Sequence, residues 1–202
     1  MRKVYYIIMA GVLLLFTAGC ISGVPVIDLT EYGRVGFIDV SSSAEGEIAK
    51  VASQKLVEKI MQIDKEKITV VELGSEEELL RAVGRERIDP ETIQMIGKKY
   101  NVGVIVSSHL NISEVRPHID ISLTRESFGV KADVDASLIV KLLETEGGGT
   151  LWTDSVQDTE SVASVSIGSG GLFHFNAGTP EKAYGELIRD LIRKISRDFM
   201  NG

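Results

Sequence analysis

The side chains that could carry chemistry here are few: His109, His118, His174, the carboxylates Asp133 and Asp135, and the single cysteine, Cys20. A metal site built on a helix needs two ligands three or four residues apart, so that both face the ion. No two of the histidines have that spacing, and none neighbours the cysteine. A lone strand histidine is ordinarily a surface or hydrogen-bonded residue, which is the expectation for all three. Asp133 and Asp135 fall on one face of a strand, where paired carboxylates could share acid–base work. With Lys131 beside them, the alternative is a solvated, charge-balanced face. Ser107-Ser108-His109 places hydroxyls next to an imidazole, but no G-x-S-x-G elbow precedes them. The glycine-rich stretch Ile167–Gly171 (IGSGG) lacks the G-x-x-x-x-G-K-[ST] pattern of a phosphate loop. The residues therefore predict no catalytic set, no metal site and no cofactor. A single cysteine also excludes an internal disulfide and a multi-cysteine zinc site.

Cys20 is different, because of what precedes it. Met1-Arg2-Lys3 is followed by an uncharged run from Val4 to Gly19, sixteen residues long. A positive start, a short apolar stretch and small residues before a break are the parts of a secretory signal. At 1.5 Å per residue the run makes about 24 Å of helix, short of the ~30 Å hydrocarbon core. The alternative is a transmembrane anchor that tolerates the mismatch. The run ends Leu15-Phe16-Thr17-Ala18-Gly19-Cys20, which resembles a bacterial lipobox, with Thr17 where that motif most often has leucine. Small side chains let the backbone enter a peptidase cleft, and the thiol is the nucleophile that takes the acyl-bearing group. The resemblance implies that Cys20 is lipidated and becomes the mature N-terminus. Ile21, in place of an aspartate, implies sorting to the outer membrane in a double-membrane bacterium.

Charge narrows the partners. The chain has 22 Lys and Arg against 29 Asp and Glu, a formal charge of −7. Removing residues 1–19 takes away Arg2 and Lys3 and leaves −9. Nucleic-acid binders carry a basic stripe to displace counterions from phosphates; an acidic chain is expected to bind none. Contact with an anionic membrane would fall to the N-terminal lipid. The apolar share of 44% and charged share of 25% fit one ordinary globular domain.

The elements that must position these residues follow from periodicity. Residues 20–33 read as a tether. Arg34–Val40 (RVGFIDV) reads as a first strand. Ser41–Ser43 reads as the cap of an amphipathic helix over 44–63, with Ile48, Ala52, Leu56, Ile60 and Ile63 inward. Ile68–Leu73 is a second strand. Ser75-Glu76-Glu77-Glu78 is a capping box, and Asp89-Pro90-Glu91 opens another helix that ends near Tyr100. Val102–Ser107 is a continuous apolar run, as for a strand covered on both faces. Alternation over 119–123 and 130–138 reads as a one-sided hairpin. ETEGGG at 144–149 is a turn, and Thr150–Gln157 a further strand. The last helix opens at Thr179-Pro180-Glu181, with Tyr184, Leu187, Ile188, Leu191, Ile192, Ile195 and Phe199 in one stripe. The fold class expected is α/β: a single domain over 34–202, with a mixed sheet flanked by helices and one or two protruding hairpins.

Three segments carry a family resemblance: RVGFIDV with its serine-rich turn, Gly97–Val106 (GKKYNVGVIV), and Ala136–Trp152 (ASLIVKLLETEGGGTLW). The chain from Arg34 onward resembles the TolB amino-terminal domain and curli-secretion lipoprotein group. That group includes periplasmic scaffolds and activators as well as a ring-shaped outer-membrane secretion channel. The resemblance implies a lipid-anchored assembly or adaptor protein, not an enzyme, with an envelope protein partner and homo-oligomers among its expected associations. The channel-subunit alternative places its barrel hairpins at 114–133 and 157–179. In the second, Ala163, Val165, Ile167, Phe173, Phe175 and Ala177 alternate with Ser164, Ser166, His174 and Asn176. A membrane strand needs about 9–11 residues, and each arm offers about eight. The other reading is a hairpin that packs on helices or a partner. Trp152 reads as a core or rim aromatic or a partner anchor; Phe173 and Phe175 are the other expected contact residues.

Overall fold

The centre of the fold is a strand that keeps strict alternation. Val134, Ala136, Leu138, Val140 and Leu142 are buried, whereas Asp133, Asp135, Ser137, Ile139 and Lys141 are not. A period of two puts one set on each face of a sheet. The computed structural model describes residues 27–43, 47–113, 116–120, 129–163, 165–167, 173–175 and 180–197. Among these, seven strands make one mixed sheet: β1 (Arg34–Phe37), β2 (Ser41–Ser42), β3 (Thr69–Glu72), β4 (Val104–Ile112), β5 (Arg116–Asp120), β6 (Gly129–Glu144) and β7 (Thr150–Ala163). A separate ribbon pairs β8 (Val165–Ile167) with β9 (Phe173–Phe175). The helices are α1 (Ile48–Met61), α2 (Glu76–Val83), α3 (Pro90–Tyr100) and α4 (Pro180–Ile195). The result is a single α/β domain with helices flanking a mixed sheet, as the element order predicts.

β3, β1 and β4 are parallel; β6 is antiparallel to β4, and β7 to β6. The 16-residue β6 is about 50 Å long. It pairs with β4 through Ala136–Glu144 and with β5 through Gly129–Asp133, so β5 prolongs the β4 edge. β7 follows its other edge from Leu143 to Lys131.

Helices cover the two faces unequally. On one, α1 and α4 enclose the larger core with Val104, Val106, Leu110 and the buried set of β6. Leu187, Ile188, Leu191, Ile192 and Ile195 of α4 are all within 4% of complete burial. Each contributes up to about 1.5–3 kcal/mol, an upper bound because the unfolded chain also shelters apolar surface. On the other face, α2 and α3 cover only the end that carries Ile38, Leu73, Val102, Ile105 and Leu143. β4 is thus apolar on both sides only as far as Val106. Capping holds the two short helices in place: Ser75 accepts from Glu78 N–H, whose carboxylate returns to Ser75 N–H, and Asp89 accepts from Thr92 N–H.

Several expectations change. Ser41–Ser43 do not cap α1: Glu47 occupies its N-cap without a side-chain bond, and the serines join the sheet, Ser41 and Ser42 as β2. The backbone after β1 runs on beside β4, so those serines meet a strand before the chain turns into the helix. Leu29 is fully buried in the larger core, within a 3-10 turn (Leu29–Glu31) capped by Asp28. The folded part therefore reaches back past Arg34. β4 extends five residues beyond Ser107, and β7 six beyond Gln157. What reads as the first arm of a second hairpin is, up to Ala163, the outer strand of the main sheet.

Candidate functional site

The end of the sheet that α2 and α3 leave open carries hydrogen-bonding side chains in rows set by the register. Ser107, Lys141 and Thr153 lie in one row, followed by His109, Ile139 and Ser155, and then Asn111, Ser137 and Gln157. Lys141, Asn111, Thr153, Ser155 and Gln157 are exposed. A rigid strand surface of this kind presents donors and acceptors without loop entropy. At its outer end is a cleft of about 500 Å³, lined among others by Asn111, Ser113, Asp135, Ser137, Gln157 and Thr159.

Parallel pairing of β2 with β4 sets Ser41 beside His109. The Ser41 hydroxyl is 2.8 Å from His109 Nδ1, and His109 Nε2 is 3.2 Å from Asn111 Oδ1. A hydroxyl, an imidazole and an amide in sequence resemble the order nucleophile, base, orienter. Such a set also needs donors aimed at a developing oxyanion and a site that excludes water. Ser41 instead lies exposed on β2, and the cleft is beside Asn111, not above Ser41. The imidazole therefore serves as a bridge that fixes β2 on β4. Sequence reading missed this pair because the partners are 68 residues apart; no local pattern marks a two-residue parallel contact. Ser107 and Ser108 are not its partners. Ser108 faces the larger core, buried, with its hydroxyl unpaired among the described residues.

The structure separates the remaining candidates. Asp135 accepts from the Thr159 hydroxyl at 2.7 Å and is tied at its backbone to the Ser113 hydroxyl. Asp133 and Asp135 lie half-buried on the one face, as the alternation requires, and both have partners. His118 is opposite Lys131 in the β5–β6 pair, and His174 opposite Ser166 in the β8–β9 ribbon. In that ribbon Val165 pairs with Phe175 and Ile167 with Phe173. Trp152 is half-buried against the larger core, opposite Leu142. Cys20 lies outside the described residues, as do most of the hairpin tips. Among the described residues no group of three or more His, Cys, Asp or Glu could hold a metal ion.

The outer edge is locked to α4 by charge. Lys194 Nζ donates to Asp158 Oδ2 at 2.8 Å and to the Gln157 carbonyl at 3.3 Å. The Lys194 bond holds the Asp158 carboxyl below its ordinary value, aided by Thr159 N–H and against a desolvation cost. A depressed carboxylate pKa stabilises the fold above the unfolded value and ceases to as pH falls through the folded value. Lys194→Gln is expected to cost under about 1 kcal/mol at pH 7 and less below pH 3. Urea denaturation at both pH values checks this; an equal loss at both would contradict it.

No family model matches the sequence, and no curated protein matches it. Solved structures similar to the chain include the PelC dodecamer from Paraburkholderia phytofirmans, 9% identical over 87% of this chain and 93% of that one, with a TM-score of 0.45. The LpoB C-terminal domain from Escherichia coli is 14% identical over 66% and 88%, with a TM-score of 0.41. Lipoprotein GNA1162 from Neisseria meningitidis is 10% identical over 81% and 98%, with a TM-score of 0.38.

Proposed function

We propose that the chain is a non-enzymatic lipoprotein of the bacterial envelope, anchored through acylated Cys20 at the periplasmic face of the outer membrane. Its α/β domain acts there as an assembly or adaptor module. Residues 1–19 are the signal, and the lipidated segment from Cys20 leads directly into the fold. The observation that carries this reading is Leu15–Cys20, small residues before the only thiol in the chain, behind an apolar run too short to span comfortably. The open polar face of β4, β6 and β7 supports the adaptor role. Hydrogen-bonding side chains on rigid strands suit recognition of an envelope protein, and the cleft beside Asn111 gives that partner a place to seat. Trp152, Phe173 and Phe175 are assigned as further contacts, aromatic side chains being enriched where partners bind.

Mass measurement of the complex extracted in mild detergent tests the adaptor role. A discrete assembly with a second envelope protein, or a small homo-oligomer without conductance in planar bilayers, is the expected result. A high-order ring that conducts would replace the adaptor with a channel subunit of the curli-secretion type, and a lone monomer would contradict both.

A further inference from the structure

We infer that the groove between α1 and α4 faces the membrane and takes the phosphate groups of anionic phospholipids. Lys55 and Lys59 are four residues apart on α1, and Arg189 and Arg193 four apart on α4, so each pair lies on one helix face. Together they line a groove of about 310 Å³ with Gln62 and one carboxylate, Glu58. Glu58 accepts from Gln54, and Arg193 also holds Asp190 at 2.9 Å. Among the described residues Lys55, Lys59 and Arg189 pair with no carboxylate. Four cations in one groove stand against the chain's overall charge of −7, so this surface opposes the field of the rest. The lysine stems are half-buried, which leaves the ammonium groups at the rim. Guanidinium forks match phosphate oxygens in geometry as well as charge.

Position favours lipid over a soluble anion. α1 ends at Met61, and the chain then enters β3 where Thr69 N–H donates to the Gly33 carbonyl at 2.8 Å. The C-terminal half of α1, with Lys55 and Lys59, therefore points to the end at which the N-terminal segment joins the fold. This step rests on the proposed anchor: from Cys20 to Ile27 seven residues reach at most about 25 Å. A tether that short keeps this end of the domain near the headgroups, and exposed charges act only within the ~10 Å screening length.

Lipidated full-length protein in vesicles of phosphatidylcholine alone, or with phosphatidylglycerol, tests the inference. The readout is amine labelling of Lys55 and Lys59 by mass spectrometry, with exposed Lys98 of α3 as the internal reference. Near an anionic surface each basic residue shifts partition about fivefold. Labelling of Lys55 and Lys59 is expected to fall several-fold in the anionic vesicles only and to recover in high salt. The double variant Arg189→Gln/Arg193→Gln, its fold checked by circular dichroism, should regain labelling. Equal labelling in both vesicles, or protection unchanged in the double variant, overturns the groove. So does protection that ignores lipid charge and grows with protein density, which would mark a contact between copies. Flotation with neutral vesicles reads the anchor separately: a chain that fails to float there refutes acylation, while the labelling contrast on anionic vesicles still decides the groove.

Discussion

Cys20→Ser is expected to abolish incorporation of labelled palmitate and to move the protein from the membrane fraction to the soluble fraction. The magnitude follows from chain length. Each buried methylene contributes about 0.8 kcal/mol, and even one myristoyl chain gives a partition constant near 10⁴ M⁻¹. Losing the lipid therefore removes a partition constant of at least about 10⁴ M⁻¹, and far more where two or three chains are attached. The basic groove of α1 and α4 adds an attraction that high salt screens, so in high salt little else replaces the lipid. The chain after Gly19 is acidic, and no helix among the described residues is long and apolar enough to cross a membrane. Serine keeps the size and polarity of the position but lacks a thiolate that can attack. A Cys20→Ser protein that stays with the membrane after a high-salt wash would refute the lipid anchor.

Gly148→Ala is expected to have the largest effect on stability. Gly148 is buried in the turn between β6 and β7 at φ +73, and a Cβ there would meet the Pro90 carbonyl oxygen at 2.3 Å and Pro90 C and Cα at 2.8 Å. Those atoms belong to the backbone of α3's first turn and cannot rotate away. The left-handed conformation alone costs about 1–2 kcal/mol for alanine, and overpacking adds about 1–3. A total near 3 kcal/mol lowers Tm by roughly 6–12 °C in a domain of this size. Gly149→Ala is the control, because nothing lies within 4 Å of its Cβ and its φ is not positive. Thermal unfolding of both variants checks the pair; equal Tm values would refute the docking of this turn on α3. Gly97 makes the companion approach from α3, its added Cβ meeting Thr145 at 2.3 Å. The Thr145 hydroxyl is itself committed to the Val102 carbonyl at 2.7 Å.

These glycines show what a sequence discloses and what it withholds. The turn at 144–149 is legible from its composition, but not that it rests on a helix start 58 residues earlier. The stripe of α4 is legible because apolar residues at a 3.6-residue period gather on one face of a helix and scatter over both faces of a strand. The capping box and Asp89-Pro90 mark the starts of α2 and α3 by equally local chemistry. β4 is read short because its apolar run stops at Val106, where α2 and α3 cease to cover it; Ser107, His109 and Asn111 continue the strand on an open face. β7 is read short because the chain from Gln157 onward reads as the arm of a separate hairpin; Thr159 and Val162 do carry a strand signal, but only the pairing with β6 joins them to the same strand. The Ser41–His109 pair joins residues 68 apart, and the basic groove brings Lys59 to Arg189, 130 residues on. Such juxtapositions depend on strand order and helix placement, which local periodicity does not encode. Cys20 is the reverse case, a residue whose expected chemistry is carried wholly by its neighbours in sequence.

The intact mass of the protein purified from its native membrane decides whether the chain matures at Cys20 and carries a lipid there. The expected species begins at Cys20 and is heavier than residues 20–202 by the mass of the attached acyl groups. A chain that retains residues 1–19, or one that begins at Cys20 without added mass, would contradict it.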